Sequence, residues 1–229
     1  MSEPPSGFGL PLYEASSPNL DIVAVHGIGA DRDWTWSLHG TNWLGAPDML
    51  PHDFPNARIM AYGYASNWLG KEAMSTSLEA VAGRFLSLVH ELRKDCQGRN
   101  IMFIAHCFGG IVIEKTILKA LANDSAQDRT LLAHISGLVF IGTPHRGSTS
   151  AGLANIVAAI AAFLNCGHKS SILKTANRDS QMLTDTVREF AKKALRLNLR
   201  IHCFYEEKET DIGPVVRSFI PATYKVRKK

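Results

Sequence analysis

The chain has 229 residues, enough for one sizeable domain with a real core. Apolar residues make up 45% and charged residues 20%, a balance that excludes a disordered chain and a membrane-embedded one. The net charge is +4, and the basic residues gather late, at Arg217, Lys225, Arg227, Lys228 and Lys229.

The opening "MSEPPSGFGLPLYEASS" has no basic region followed by an apolar run, so it does not read as a secretory signal. A cytoplasmic, reducing home is expected, with Cys96, Cys107, Cys166 and Cys203 as thiols. No CxxC pair or Cys/His spacing suggests a metal, and no glycine-rich phosphate loop suggests a nucleotide. Neither a cofactor nor a nucleic-acid partner is expected.

Residues 1–20 read as an N-terminal segment, with "GLPLYE" as a small edge strand. "DIVAV" (21–25) is a strand ending at His26-Gly27, and "ARIMAYGY" (57–64) is a second. Met74, Leu78, Val81, Ala82, Phe85, Val89 and Leu92 recur at helical spacing. "NIMFIAH" (100–106) is a third strand, followed by a turn and a helix to about residue 122. "ISGLVFIG" (135–142) is a fourth strand and ends at "TPHRGS". The run 151–167, "AGLANIVAAIAAFLNCG", is short of the ~20 residues of a membrane span and reads as a core or lid helix. Leu183, Val187, Phe190, Ala191 and Ala194 trace another helix, and "LRIHCFY" (199–205) is the last strand. Strand and helix in alternation predict an α/β fold, a mostly parallel sheet with helices on both faces, over residues 21–213. Residues 214–229 form a divergent basic tail.

Ligands of such sheets bind beyond the carboxyl ends of the strands. The polar motifs fall there: His26-Gly27, His106-Cys107, Thr143-Pro144-His145 and Glu206-Glu207. One of these, Ala105-His106-Cys107-Phe108-Gly109, sits between a buried strand and a helix, with Gly110 next. Small neighbours on a sharp strand-to-helix turn are what a nucleophile elbow requires. Alanine stands where the first glycine of G-x-S-x-G would be, and cysteine where serine would be. A thiol at a helix N-terminus gains from the backbone dipole, which favours thiolate. A buried structural cysteine is the alternative reading. The oxyanion donors expected with such an elbow are the Phe108 N–H and an N–H of the loop "HGIGADRDW", where Ile28 is the candidate. His26 reads as a shaper of that loop rather than a base. Trp34, Trp36, Trp43 and Trp68 are assigned no role, since large aromatics are more often core.

"DIVAVHGIGADRDWTW", "ARIMAYGY", "IMFIAHCFGGIVIEKTIL" and "GLVFIGTPHRGS" together resemble the lipase-like α/β-hydrolases of fungi that precede NACHT or repeat-bearing receptors. They are also similar to serine active site-containing proteins of mitochondria-associated membranes. The resemblance implies a carboxylic ester or lipid hydrolase with a Ser–acid–His triad. Cys107 falls on the serine position, and Glu206 on the acid position, with Glu207 as neighbour. The family's histidine follows one more strand, but the sequence has no histidine after His202. The last strand and the base are therefore expected to be missing. Codons for Val216-Arg217 can resemble a splice donor, so a longer product carrying the histidine is one expectation.

Two further readings stay open. One is a catalytically impaired pseudo-hydrolase serving as an interaction module of an immune-type receptor. The other gives the apolar helix and basic tail a peripheral membrane contact, at the mitochondrion or endoplasmic reticulum if the resemblance holds. An unpaired sheet edge would also favour self-association.

Overall fold

The computed structural model describes residues 7–27, 30–64, 74–145 and 169–204, with only the backbone of 74–77 and 169–181. In chain order the elements are β1 (Gly7–Phe8), β2 (Tyr13–Glu14), β3 (Leu20–Val25), β4 (Ser37–Leu38), β5 (Thr41–Asn42), α1 (Leu50–Asp53) and β6 (Ala57–Gly63). There follow α2 (Met74–Leu92), β7 (Asn100–His106), α3 (Gly109–Asn123), α4 (Ala126–Ala133), β8 (Ile135–Ile141), α5 (Lys169–Arg196) and β9 (Ile201–Phe204).

Seven strands form the main sheet in the order β1, β6, β3, β7, β8, β9, with β2 also on β6. β6, β3, β7, β8 and β9 are parallel, while β1 and β2 run antiparallel to β6. The expected edge strand near "GLPLYE" is thus two short pieces on one neighbour. β3 is buried from Asp21 to Val25, as a strand covered on both faces must be. Its residues alternate: Val23 and Val25 join one core with Leu78, Phe85 and Val89 of α2, Ile111 of α3, and Leu183 and Phe190 of α5. Ile22 and Ala24 join a second core, against Trp36 and Leu44 of the segment that carries β4, β5 and α1. Trp36 is core as expected, whereas Trp34 is exposed; Trp68 lies outside the described residues.

α4 was not anticipated. Its Ser125 N-cap accepts a hydrogen bond from the Asp128 N–H at 3.1 Å, while Ser125 Oγ donates to the Asp128 carboxylate at 2.5 Å. That is a capping arrangement readable in "SAQD". The run 151–167 and the basic tail lie outside the described residues. No helix among the described residues is long and apolar enough to cross a membrane. The described sheet ends at β9, where Phe204 is exposed.

The start of β3 is pinned by a buried charge cluster. Asp21 is fully buried and accepts from Arg93 at 2.7 Å, Arg58 at 2.9 Å and Arg99 at 3.0 Å. The three arginines come from the end of α2, from β6 and from the approach to β7, so one carboxylate ties three segments to one end of the sheet. Removing its charge strands arginines of which Arg93 is itself buried. Asp21→Asn is therefore expected to cost about 3–5 kcal/mol in urea unfolding; a loss below about 1 kcal/mol, the worth of an exposed pair, would show the cluster to be dispensable.

Candidate active site

At the other end of the sheet the chain turns from β7 into α3 at Cys107. Cys107 has φ of 51°, the left-handed region that costs a non-glycine residue about 1–2 kcal/mol. The turn is held because its N–H donates to the Ile141 carbonyl of β8 at 2.8 Å. Phe108 follows in helical conformation as the N-cap of α3. The Cys107 thiol, half-buried, thus sits at the positive end of a fifteen-residue helix, where thiolate is favoured.

Three glycines make room for this turn. A Cβ on Gly109 would lie 2.3 Å from the Val25 carbonyl oxygen, and one on Gly110 would lie 2.3 Å from Thr143 Oγ1. A Cβ on Gly27 would come within 2.9 Å of Cys107 Cβ. The first helical turn of α3 therefore lies directly on the end of β3, and the loop after β3 meets Cys107. The expected placement at strand ends holds for His26-Gly27, His106-Cys107 and Thr143-Pro144-His145.

His26 is a strut. It is fully buried and stacks on Tyr64 with ring centroids 4.4 Å apart. Its Nδ1–H donates to the Gly27 carbonyl at 2.8 Å, and its Nε2 accepts the Tyr64 N–H at 3.3 Å. Tyr64 OH donates back to the His26 carbonyl at 2.9 Å. Burial, with the Cys107 thiol nearby, pushes the Tyr64 phenol well above its ordinary value. His145 is engaged elsewhere: its Nε2–H donates to Glu114 Oε1 at 2.7 Å, and its Nδ1 faces Cys203 Sγ at 3.7 Å. Both ring nitrogens have partners other than Cys107.

Of the four expected site residues, Cys107 and Phe108 stand on the turn between β7 and α3. Ile28 and Glu206, with Glu207 and Gly29, lie outside the described residues. The sequence reading missed the fully buried Glu114. Its signal was positional: Ile111, Glu114 and Leu118 share one face of α3, so a carboxylate stands on an apolar stripe. Burial raises the Glu114 carboxyl above its ordinary range, against the hydrogen bond from His145. A cavity of about 640 Å³ is lined by Asn100, Ile135 and Arg200. These stand where β7, β8 and β9 begin, so it is at the wrong end of the sheet for this chemistry. Among the described residues no cluster of His, Cys, Asp or Glu suits a metal ion.

A mostly parallel sheet with a left-handed residue on the turn between a central strand and a helix is the α/β-hydrolase architecture, and this chain has that fold. A lipase of Bacillus licheniformis shares it, with a TM-score of 0.50 at 17% identity over 85% of this chain and 72% of that one. In sequence the chain is similar to the protein SERAC1 of Danio rerio, 26% identical over 87% of this chain and 28% of that protein. The human SERAC1 is 25% identical over 90% of this chain and 33% of its own length. The chain thus spans about a third of the curated relatives it matches. No family model matches it.

The strut at His26 gives a pH signature. Desolvation lowers the imidazole below its ordinary value of 6.5, so the unfolded chain takes up this proton at higher pH than the folded one. The stabilisation is complete above that unfolded value and is lost as pH falls from about 6.5 toward the lowered folded value. Urea unfolding across this range is expected to show a steeper loss in the native chain than in His26→Asn. Equal slopes would mean that the imidazole titrates alike in both states.

Proposed function

We propose that this chain is an acyl-accepting domain of the hydrolase type, with Cys107 as nucleophile toward carboxylic or lipid esters. The observation that carries the reading is the φ of 51° at Cys107. A half-buried cysteine needs no such backbone for packing, and strain of this kind persists where it aims a reactive side chain. In the proposed step the Cys107 thiolate attacks the ester carbonyl carbon. The Phe108 N–H, with that of Ile28, receives the developing oxyanion. The C–O bond breaks, the alkoxide takes a proton from water, and a thioester remains on Cys107. Glu206 is assigned as the acid of the array on the resemblance alone.

Hydrolysis of that thioester calls for a general base. His26 and His145 are committed to other partners, so neither is assigned as that base. The proposed step here is acylation of Cys107. The cysteine at the position of the serine favours a second reading, a pseudo-hydrolase whose retained fold serves as an interaction module, as in the receptor-associated domains that the sequence resembles.

Intact mass after exposure to a p-nitrophenyl ester separates the two, with Cys203→Ser as background. A persistent single acyl adduct, lost in Cys107→Ala, is expected. An unmodified chain, or an adduct that survives in Cys107→Ala, would leave the interaction module as the better reading.

A further inference from the structure

A second sulfur stands in a constellation that the elbow does not use. We propose that Cys203, His145 and Glu114 form a thiol site of their own, which accepts an apolar acyl group from a thioester into the groove between β9 and α5.

The three side chains form a line. Glu114 is fully buried on α3; its Oε1 accepts from His145 Nε2–H at 2.7 Å, and its Oε2 has no hydrogen-bond partner among the described residues. A carboxylate at that nitrogen sets the imidazole tautomer, leaving Nδ1 as acceptor. Nδ1 is 3.7 Å from Cys203 Sγ, within reach of a thiol hydrogen bond. Nucleophile, base and buried orienting carboxylate are thus in sequence, the geometry that activates a thiol. Phe140, in register with Cys203 across β8 and β9, packs edge-on to the His145 ring at 4.8 Å and fixes its plane. All three members lie within the described residues.

The surroundings choose the substrate. Glu114, His145 and Cys203 line a cavity of about 460 Å³ with Phe140, Val187 and Phe190, a volume in the range of small-ligand sites. Among the described residues Glu114, His145 and Cys203 are its only titratable linings, and every described α5 side chain in it is apolar. An apolar chain fits such a wall, and a thioester carbonyl is the electrophile a thiolate exchanges with. In the step, the Cys203 proton passes to Nδ1 of His145 as Sγ bonds the carbonyl carbon. The C–S bond of the incoming thioester then breaks. The departing thiolate takes the proton back from His145, so one thioester and one thiol enter and one of each leaves. Buried Glu114 stabilises the transient imidazolium.

The test uses the full chain carrying Cys107→Ala, which removes the other candidate nucleophile, and S-octanoyl-N-acetylcysteamine as probe. Acylation is followed site by site by peptide mass spectrometry across pH, with an unstructured cysteine peptide as reference. Cys203 is expected to react at least about tenfold faster than the peptide near pH 7, with a midpoint below the ~8.5 of a free thiol. His145→Gln should bring the rate back to that of the peptide, and an acetyl probe should react more slowly than octanoyl. A peptide-like rate and midpoint at Cys203 in the chain with His145 and Glu114 intact would overturn the proposal without reference to any variant. So would a fast rate that His145→Gln leaves unchanged, or equal rates for acetyl and octanoyl.

Discussion

Everything at the chemical end of this molecule depends on one close approach of backbone to backbone. The first turn of α3 presses on the end of β3 so tightly that a single methyl at Gly109 would overlap the Val25 and His26 carbonyl oxygens. Backbone cannot give way as a side-chain tip can, so the glycine is required. That contact holds Cys107 left-handed, presents its thiol at the head of α3 and brings the Gly27 loop against it. The left-handed turn costs about 1–2 kcal/mol, which the surrounding parallel sheet offsets through its buried strands.

The two ends of the sheet divide the work. At the strand starts Asp21 gathers three arginines and holds β3, β6 and the end of α2 in register. At the strand ends polar groups are spent on shape: His26 and Tyr64 bind each other and the backbone, leaving the imidazole of His26 with one donor and one acceptor bond. Neither His26 nor His145 offers a nitrogen to Cys107. The turn at Cys107 is thus built and held, while His26 and His145 serve other partners. The second thiol, at Cys203, is where a histidine and a carboxylate do line up.

Much of the fold was legible because the physics is periodic. Apolar runs such as "DIVAV" and "NIMFIAH" alternate with helical stripes, and only a parallel layered sheet buries both. The tight turn at Cys107 was legible because small residues flank it between an apolar strand and a helix. Other features were not. The Asp21 cluster joins residues far apart in sequence, and nothing local says that Arg58, Arg93 and Arg99 converge. The line of Glu114, His145 and Cys203 arises only when α3, the loop after β8 and β9 come together. α4 was overlooked although Ser125 and Asp128 carry its cap, because its face is short and weakly apolar.

The central claim is that the strained turn makes Cys107 a nucleophile toward esters. Rapid-mixing measurement of nitrophenolate release from p-nitrophenyl acetate, on the Cys203→Ser chain, tests it most directly. The account predicts release faster than the uncatalysed reaction and lost in Cys107→Ala. Release no faster than the uncatalysed reaction, or release that Cys107→Ala retains, would contradict it.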